Sequence, residues 1–142
     1  MDTPKTVLVF GTFDGLHDGH RFFLRESRKL GERLVAIVAQ DTIVEQIKGY
    51  LPVFPLQERI QLLLDHAVVD DVLEGDTKLG TWSTVTKVKP DVIAVGYDQK
   101  HLEEKLREHI QSNSLSFEVV QIAPHDPDRL HSSILRSLNE KE

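Results

Sequence analysis

Apolar residues along this chain fall alternately into short runs and helical stripes. Residues 5–10 end in the run VLVF and read as a strand. Phe22, Phe23, Leu24, Ser27 and Leu30 then recur at helical spacing, and Gly31 stands where a glycine past the C-terminus would end that helix. RLVAIVA supplies a second buried strand and residues 42–47 a short helix. The segment KGYLPVFP, stiffened by Pro52 and Pro55, reads as an extended loop carrying Lys48. Residues 56–66 place Ile60, Leu63 and Leu64 on one helical face, VVDDVLEG is a third strand, and residues 79–88 form a helix. DVIAVG, which begins just after Pro90, is the clearest strand. A charged helix over 98–110 carries Leu102, Leu106 and Ile110 four apart, with Asp98 as a candidate N-cap. FEVVQI is a fifth strand, and a serine-capped helix begins at Ser132.

Strands that alternate with helices predict parallel pairing, because parallel neighbours need crossover connections and these are usually helical. The fold class expected is therefore α/β, a Rossmann-like doubly wound parallel five-stranded sheet with helices on both faces, forming one domain over 1–142. Ligands of such sheets sit beyond the carboxyl ends of the strands. The segments to watch are GTFDGLHDGH, AQD, EGD, GYDQ and APHDPDRLHSS, one after each strand.

Composition narrows the chemistry. The 142 residues are 39% hydrophobic, enough for one core, and no apolar run is long enough for a membrane span or a secretory signal, so a cytoplasmic protein without membrane contact is expected. The absence of cysteine removes disulfides, thiolate metal sites and cysteine nucleophiles. A net charge of -6 argues against general binding to nucleic acid, while leaving room for a small anion held by a few local cations.

GTFDGLHDGH, residues 11–20, joins the first strand to the first helix. Free backbone N–H groups and the positive helix end make this junction a candidate phosphate site. Gly11 permits a sharp turn or close approach, Gly19 leaves space between His17 and His20, and the two imidazoles, three apart, face the same side. They can donate hydrogen bonds to phosphoryl oxygens, or form half of a metal site with Asp14 or Asp98. The remaining histidines lack metal-ligand spacing, so no protein metal site is expected. The order of glycines does not match a dinucleotide fingerprint.

Gly11-Thr12-Phe13-Asp14 followed by His17-Asp18-Gly19-His20 resembles the signature of the HxGH nucleotidyltransferase superfamily. The similarity continues through VAQDTIVEQIKGYLPVFPLQERIQLL, PDVIAVGYDQ and LHSSILRS. Within the superfamily the chain is most similar to the archaeal-type FAD synthetases, then to glycerol-3-phosphate cytidylyltransferases, whose closing motif would put an arginine near Asp126 where this chain has Arg129. The resemblance implies transfer of a nucleoside monophosphate from ATP or CTP, with Mg²⁺, to FMN or glycerol 3-phosphate, and a homodimer. It implies catalytic roles for His17, His20 and Lys48. It implies nucleotide contacts from Gly11, Thr12, Phe13, Asp14, Gly19, Gly96, Asp98, Gln99, His131, Ser132 and Ser133, and acceptor or phosphate contacts from Arg59 and Arg129. A non-catalytic nucleotide sensor is the alternative, which need not keep both histidines and Lys48. A slot for the flavin ring is expected near Pro124 and Leu130 with the KGYLPVFP loop, and Trp82 is expected to pack on a helix face.

Overall fold

The computed structural model describes residues 4–78 and 81–123. Five strands, β1 (Thr6–Gly11), β2 (Arg33–Val38), β3 (Asp71–Glu74), β4 (Val92–Gly96) and β5 (Glu118–Ile122), form one sheet in the order β3-β2-β1-β4-β5. Every pairing is parallel. Register runs from Thr6↔Arg33 to Gly11↔Val38 between β1 and β2, and from Val7↔Val92 to Val9↔Ala94 between β1 and β4. The chain builds outward from β1 in one direction and from β4 in the other, so these two ends mark the switch point where such sheets bind ligands.

The helices are α1 (Asp18–Arg28), α2 (Asp41–Lys48), α3 (Leu56–His66), α4 (Ser83–Val88) and α5 (Lys100–Asn113). Alternation within the central strands sorts their side chains into two cores. Val7, Val9, Leu34, Ala36, Val38, Val92 and Ala94 pack with Leu24 of α1 and with Leu56 and Leu63 of α3. Leu8, Val35, Ile37, Ile93 and Val95 face the other way, onto Val85 of α4 and Leu106 of α5. Strands apolar at every position are thus covered on both faces, as the expected fold class requires.

Several local expectations are corrected. Gly31 does not end α1 in a left-handed turn. The helix tightens at Lys29, whose N–H reaches the Glu26 and Ser27 carbonyls, and Leu30 donates to Ser27. Glycine is needed at 31 for space, since a Cβ there would lie 2.7 Å from the Lys5 carbonyl oxygen and 2.8 Å from Val7. Lys48 closes α2 instead of riding on a loop, and Gly49 takes the left-handed cap at φ 85°. Leu64 faces outward, while Arg59 joins Leu56 and Leu63 on the buried side of α3. Asp98 is not the cap of α5: Gln99 occupies that position without a side-chain cap bond. The helix expected over 79–88 begins at Ser83, and the helix expected from Ser132 lies outside the described residues.

Candidate active site

Residues 11–20 leave β1, turn sharply and start α1. Phe13 sits in the left-handed region, φ 50°, with its ring buried, and a Cβ on Gly11 would come within 2.6 Å of that ring. This close approach is what residue 11 requires of glycine. Beyond it, His17 and His20 cap α1 reciprocally. His17 Nδ1 accepts from Gly19 N (3.1 Å) and His20 N (3.3 Å), while His20 Nδ1 accepts from His17 N (3.3 Å). The rings stack, with centroids 3.7 Å apart and planes at 20°.

This geometry corrects one expectation and sharpens another. Gly19 N and His20 N are not free for an anion, because the His17 ring takes them. Each Nδ1 must carry a lone pair toward a backbone N–H, so the proton of each neutral imidazole sits on Nε2. The anion donors of this junction are therefore imidazole N–H groups. Burial pushes the His20 pKa down to about 4, helped by His17, Lys48 and Arg21 and opposed by a hydrogen bond to the Gly15 backbone. His20 is neutral near pH 7 and acts as a donor rather than as a cation.

A second layer of contacts fixes this junction. Asp14 accepts from Val53 N (2.7 Å) and Phe54 N (2.8 Å), which pins the proline loop against the β1 turn. Arg59 is fully buried and spends its guanidinium internally. It donates to the carbonyls of Phe54 (2.8 Å), Thr12 (2.9 Å) and Ala39 (2.8 Å) and pairs with Asp41 at the start of α2. The expected acceptor or phosphate contact of Arg59 is thus overturned, since no part of the side chain reaches solvent. Its carboxylate partner is Asp41.

Across the switch point, Gly96 ends β4 and its N–H donates to Gln99 Oε1 (2.7 Å), while Gln99 Nε2 donates to the Phe10 carbonyl (3.0 Å). Gln99 therefore ties the ends of β1 and β4 together. Tyr97 and Asp98 stand exposed on the turn between them. A cleft of about 810 Å³ opens above these strand ends, with Gly11, His17, His20, Lys48 and Asp98 in its wall. Thr12, Phe13, Asp14, Gly19, Gly96 and Gln99 also border it. His131, Ser132, Ser133 and Arg129 lie outside the described residues, as do Pro124 and Leu130. Tyr50, Leu51 and Val53 of the KGYLPVFP loop are exposed and do not line the cleft, so the ring slot expected there is not built from them.

One cleft residue of the EGD segment was given no role by the sequence. Asp76 follows β3 and accepts four hydrogen bonds from residues flanking Trp82. Burial pushes its carboxyl up, but the bonds from Ser83, Thr81 and Thr84 outweigh it and hold the pKa below the ordinary value. The signal available in the sequence was an aspartate five residues before the run TWST, a capping composition. No helix among the described residues is long and apolar enough to cross a membrane.

A cytidylyltransferase-like family model matches residues 8–138. The chain is 38% identical over 133 residues to the FAD synthase of Thermoplasma volcanium, covering 92% of this chain and 90% of that protein. It is 40% identical over 129 residues to the FAD synthase of Ferroglobus placidus, covering 91% and 83%. A solved structure described as the lipopolysaccharide core biosynthesis protein from Thermoplasma volcanium GSS1 matches with a TM-score of 0.79 at 37% identity, over 87% of this chain and 100% of that one. The family match takes in the histidine junction, Lys48 and the turn after β4, and with this sheet order and this cleft the chain belongs to the cytidylyltransferase-like family and is a nucleotidyltransferase.

Proposed function

We propose that the chain transfers AMP from ATP to the phosphate of FMN, giving FAD and pyrophosphate. The observation that carries this reading is the stacked histidine pair, which its reciprocal cap fixes at the strand-end cleft of a chain similar to FAD synthases, with the Nε2–H of His17 left over by the cap and that of His20 facing the Gly15 backbone. A phosphate oxygen of FMN attacks the α-phosphorus of ATP in line. The new P–O bond forms as the bond from that phosphorus to the bridging oxygen breaks, and pyrophosphate leaves with its electron pair. No covalent protein nucleophile is needed, so catalysis rests on positioning and charge stabilisation. His17 and His20 donate to the α- and β-phosphoryl oxygens, where negative charge shifts in the transition state. Lys48, at the end of α2 and close enough to depress His20, supplies the cation for the triphosphate. Asp98 and Tyr97 serve the adenosine, the carboxylate accepting from hydroxyl or amine groups and the phenol ring packing on the base.

A divalent metal ion accompanies the triphosphate, and Mg²⁺ is the ion proposed. Among the described residues no cluster of three histidine, aspartate or glutamate side chains is able to cage it, and the Asp14 carboxylate is committed to Val53 and Phe54. This donor set suits an ion carried by nucleotide oxygens and water, as Mg²⁺ usually is. When bound, the ion neutralises charge on the triphosphate.

The test is pyrophosphate release in a grid of ATP and CTP against FMN, glycerol 3-phosphate and phosphopantetheine, with the His17→Ala/His20→Ala double variant as blank. Turnover is expected with ATP and FMN. Turnover confined to CTP and glycerol 3-phosphate would overturn the flavin assignment, and tight nucleotide binding with no turnover anywhere would favour a nucleotide sensor.

A further inference from the structure

The cleft has two apolar ends. One, including Phe13, Phe22, Phe23 and Ile122, belongs to the core under α1 and α3. The other, formed by Phe10, Ile37, Trp82 and Leu102, belongs to the core under α4 and α5. The second end holds the single tryptophan of the chain. Trp82 adopts the left-handed region at φ 56°, a conformation that a bulky residue keeps only when its surroundings enforce it. Here the enforcement comes from one carboxylate. Asp76 accepts from Thr81 Oγ1 (2.7 Å) on one side of Trp82, and from Ser83 N (2.8 Å), Ser83 Oγ (2.6 Å) and Thr84 N (3.2 Å) on the other. A helix cap alone would use one or two of these bonds. Held this way, the indole borders the cleft, with Phe10 edge-on at 6.1 Å and His109 stacked on it at 5.6 Å and 30°.

We infer that Trp82 is the platform on which the isoalloxazine ring of the acceptor stacks, and that Asp76 is the positioning residue that holds it there. This rests on the FMN adenylyltransferase reading. The phosphate of FMN must reach the histidine pair, so its ring extends to one end of the cleft while the adenosine occupies the turn after β4. The flavin ring is flat, tricyclic and electron-poor. An electron-rich indole that shares the cleft wall with Ile37 and Leu102 offers it a stacking surface. Lys78 and Thr84 border the cleft as well and supply donors for the carbonyl oxygens at the ring's polar edge.

Riboflavin separates binding from turnover, because it carries the ring but no phosphate to react. Equilibrium dialysis measures how much binds, and the emission of the bound flavin reports contact, since an indole touching the ring quenches it by electron transfer. Wild-type protein is expected to bind riboflavin and quench it, whereas Trp82→Phe keeps an aromatic face and binds it without that quenching. Trp82→Ala is expected to raise the KM for FMN roughly tenfold or more and leave the KM for ATP unchanged. Asp76→Asn should also raise the KM for FMN, with kcat at saturating FMN and the KM for ATP unaltered, and should partly restore the emission of bound riboflavin. Quenching that persists in Trp82→Phe, an unchanged KM for FMN in a protein that makes FAD, or a shift in the KM for ATP alone would each overturn the platform. If the wild type makes no FAD, the functional reading fails on turnover. Riboflavin dialysis then decides the platform separately, and no binding, or bright bound flavin, overturns it.

Discussion

At His17 and His20 one ring nitrogen serves the helix, and the other is the donor proposed for the phosphates. Nδ1 of each closes the reciprocal cap on α1, while the Nε2–H of His17 is left over by the cap and that of His20 faces the Gly15 backbone. The two duties are separable by substitution. Asparagine is among the best N-caps but has no group at the Nε2 position. His17→Asn is therefore expected to melt close to wild type while losing on the order of 100-fold in kcat. His17→Ala should lose that activity and also about 1 kcal/mol of stability. Thermal melts alongside pyrophosphate release distinguish the two, and wild-type turnover in His17→Asn would remove Nε2 from the mechanism. The pair itself was legible from its spacing at a strand–helix junction. Its tautomers were not, because they follow from the His17 ring folding back over residue 19, where a Cβ would lie 2.9 Å from that ring.

Among the elements, α3 governs the site although it contributes nothing to the described cleft wall. Its Arg59 joins the β1 turn through Thr12, the end of β2 through Ala39, the start of α2 through Asp41 and the proline loop through Phe54. The histidine turn and the Lys48 helix therefore share one buried cation. Arg59→Met preserves much of the volume but leaves three carbonyls and a carboxylate without their partner. Leaving a buried acceptor without its donor costs about 1–3 kcal/mol, whereas the Asp41 carboxylate, 39% exposed, recovers water. The expected result is a lower denaturation midpoint together with a lower kcat, read by urea titration and by turnover on the folded fraction. A folded variant with unchanged kcat would dissociate Arg59 from the alignment of the two elements. Helical spacing put Ile60, Leu63 and Leu64 on one face and left Arg59 off it, since a charged side chain read alone points to solvent or to a ligand. Its burial depends on three carbonyls, two of which, those of Thr12 and Ala39, come from segments distant in sequence.

For the molecule as a whole, His20 and Asp76 link folding to pH in the same direction. The unfolded chain protonates His20 as pH falls through its ordinary 6.5, while the folded protein does so only near 4. Between these values the unfolded state binds more protons, so stability is fully present above pH 6.5 and declines as pH falls toward 4. Asp76, depressed in the folded state, extends the loss into the acid range, because its contribution disappears as pH falls through its folded pKa. Denaturant midpoints measured from pH 7.5 to 4 should fall steadily. His20→Asn should flatten that slope, and an unaltered slope would assign the pH dependence to other groups.

The sequence by itself determined the order of strands and helices, the parallel class of the sheet and the gathering at the strand ends of the candidate residues within 11–20 and in the turn after β4. These follow from local periodicity, from the need of parallel strands for crossovers, and from apolar runs that must be covered on both faces. Tertiary structure decided what each polar side chain does within that frame. Gly31 is a packing glycine because β1 passes beside it, Lys48 belongs to a helix because Gly49 caps it, and Arg59 turns inward because the turn after β1, the junction of β2 with α2 and the proline loop meet there. Asp76, within the EGD segment, acquires its role only where the turn around Trp82 closes on its carboxylate. A hydrogen bond between residues far apart in the chain leaves no periodic trace in the sequence, and such long-range bonds set the inward turn of Arg59 and the pinning of the proline loop by Asp14.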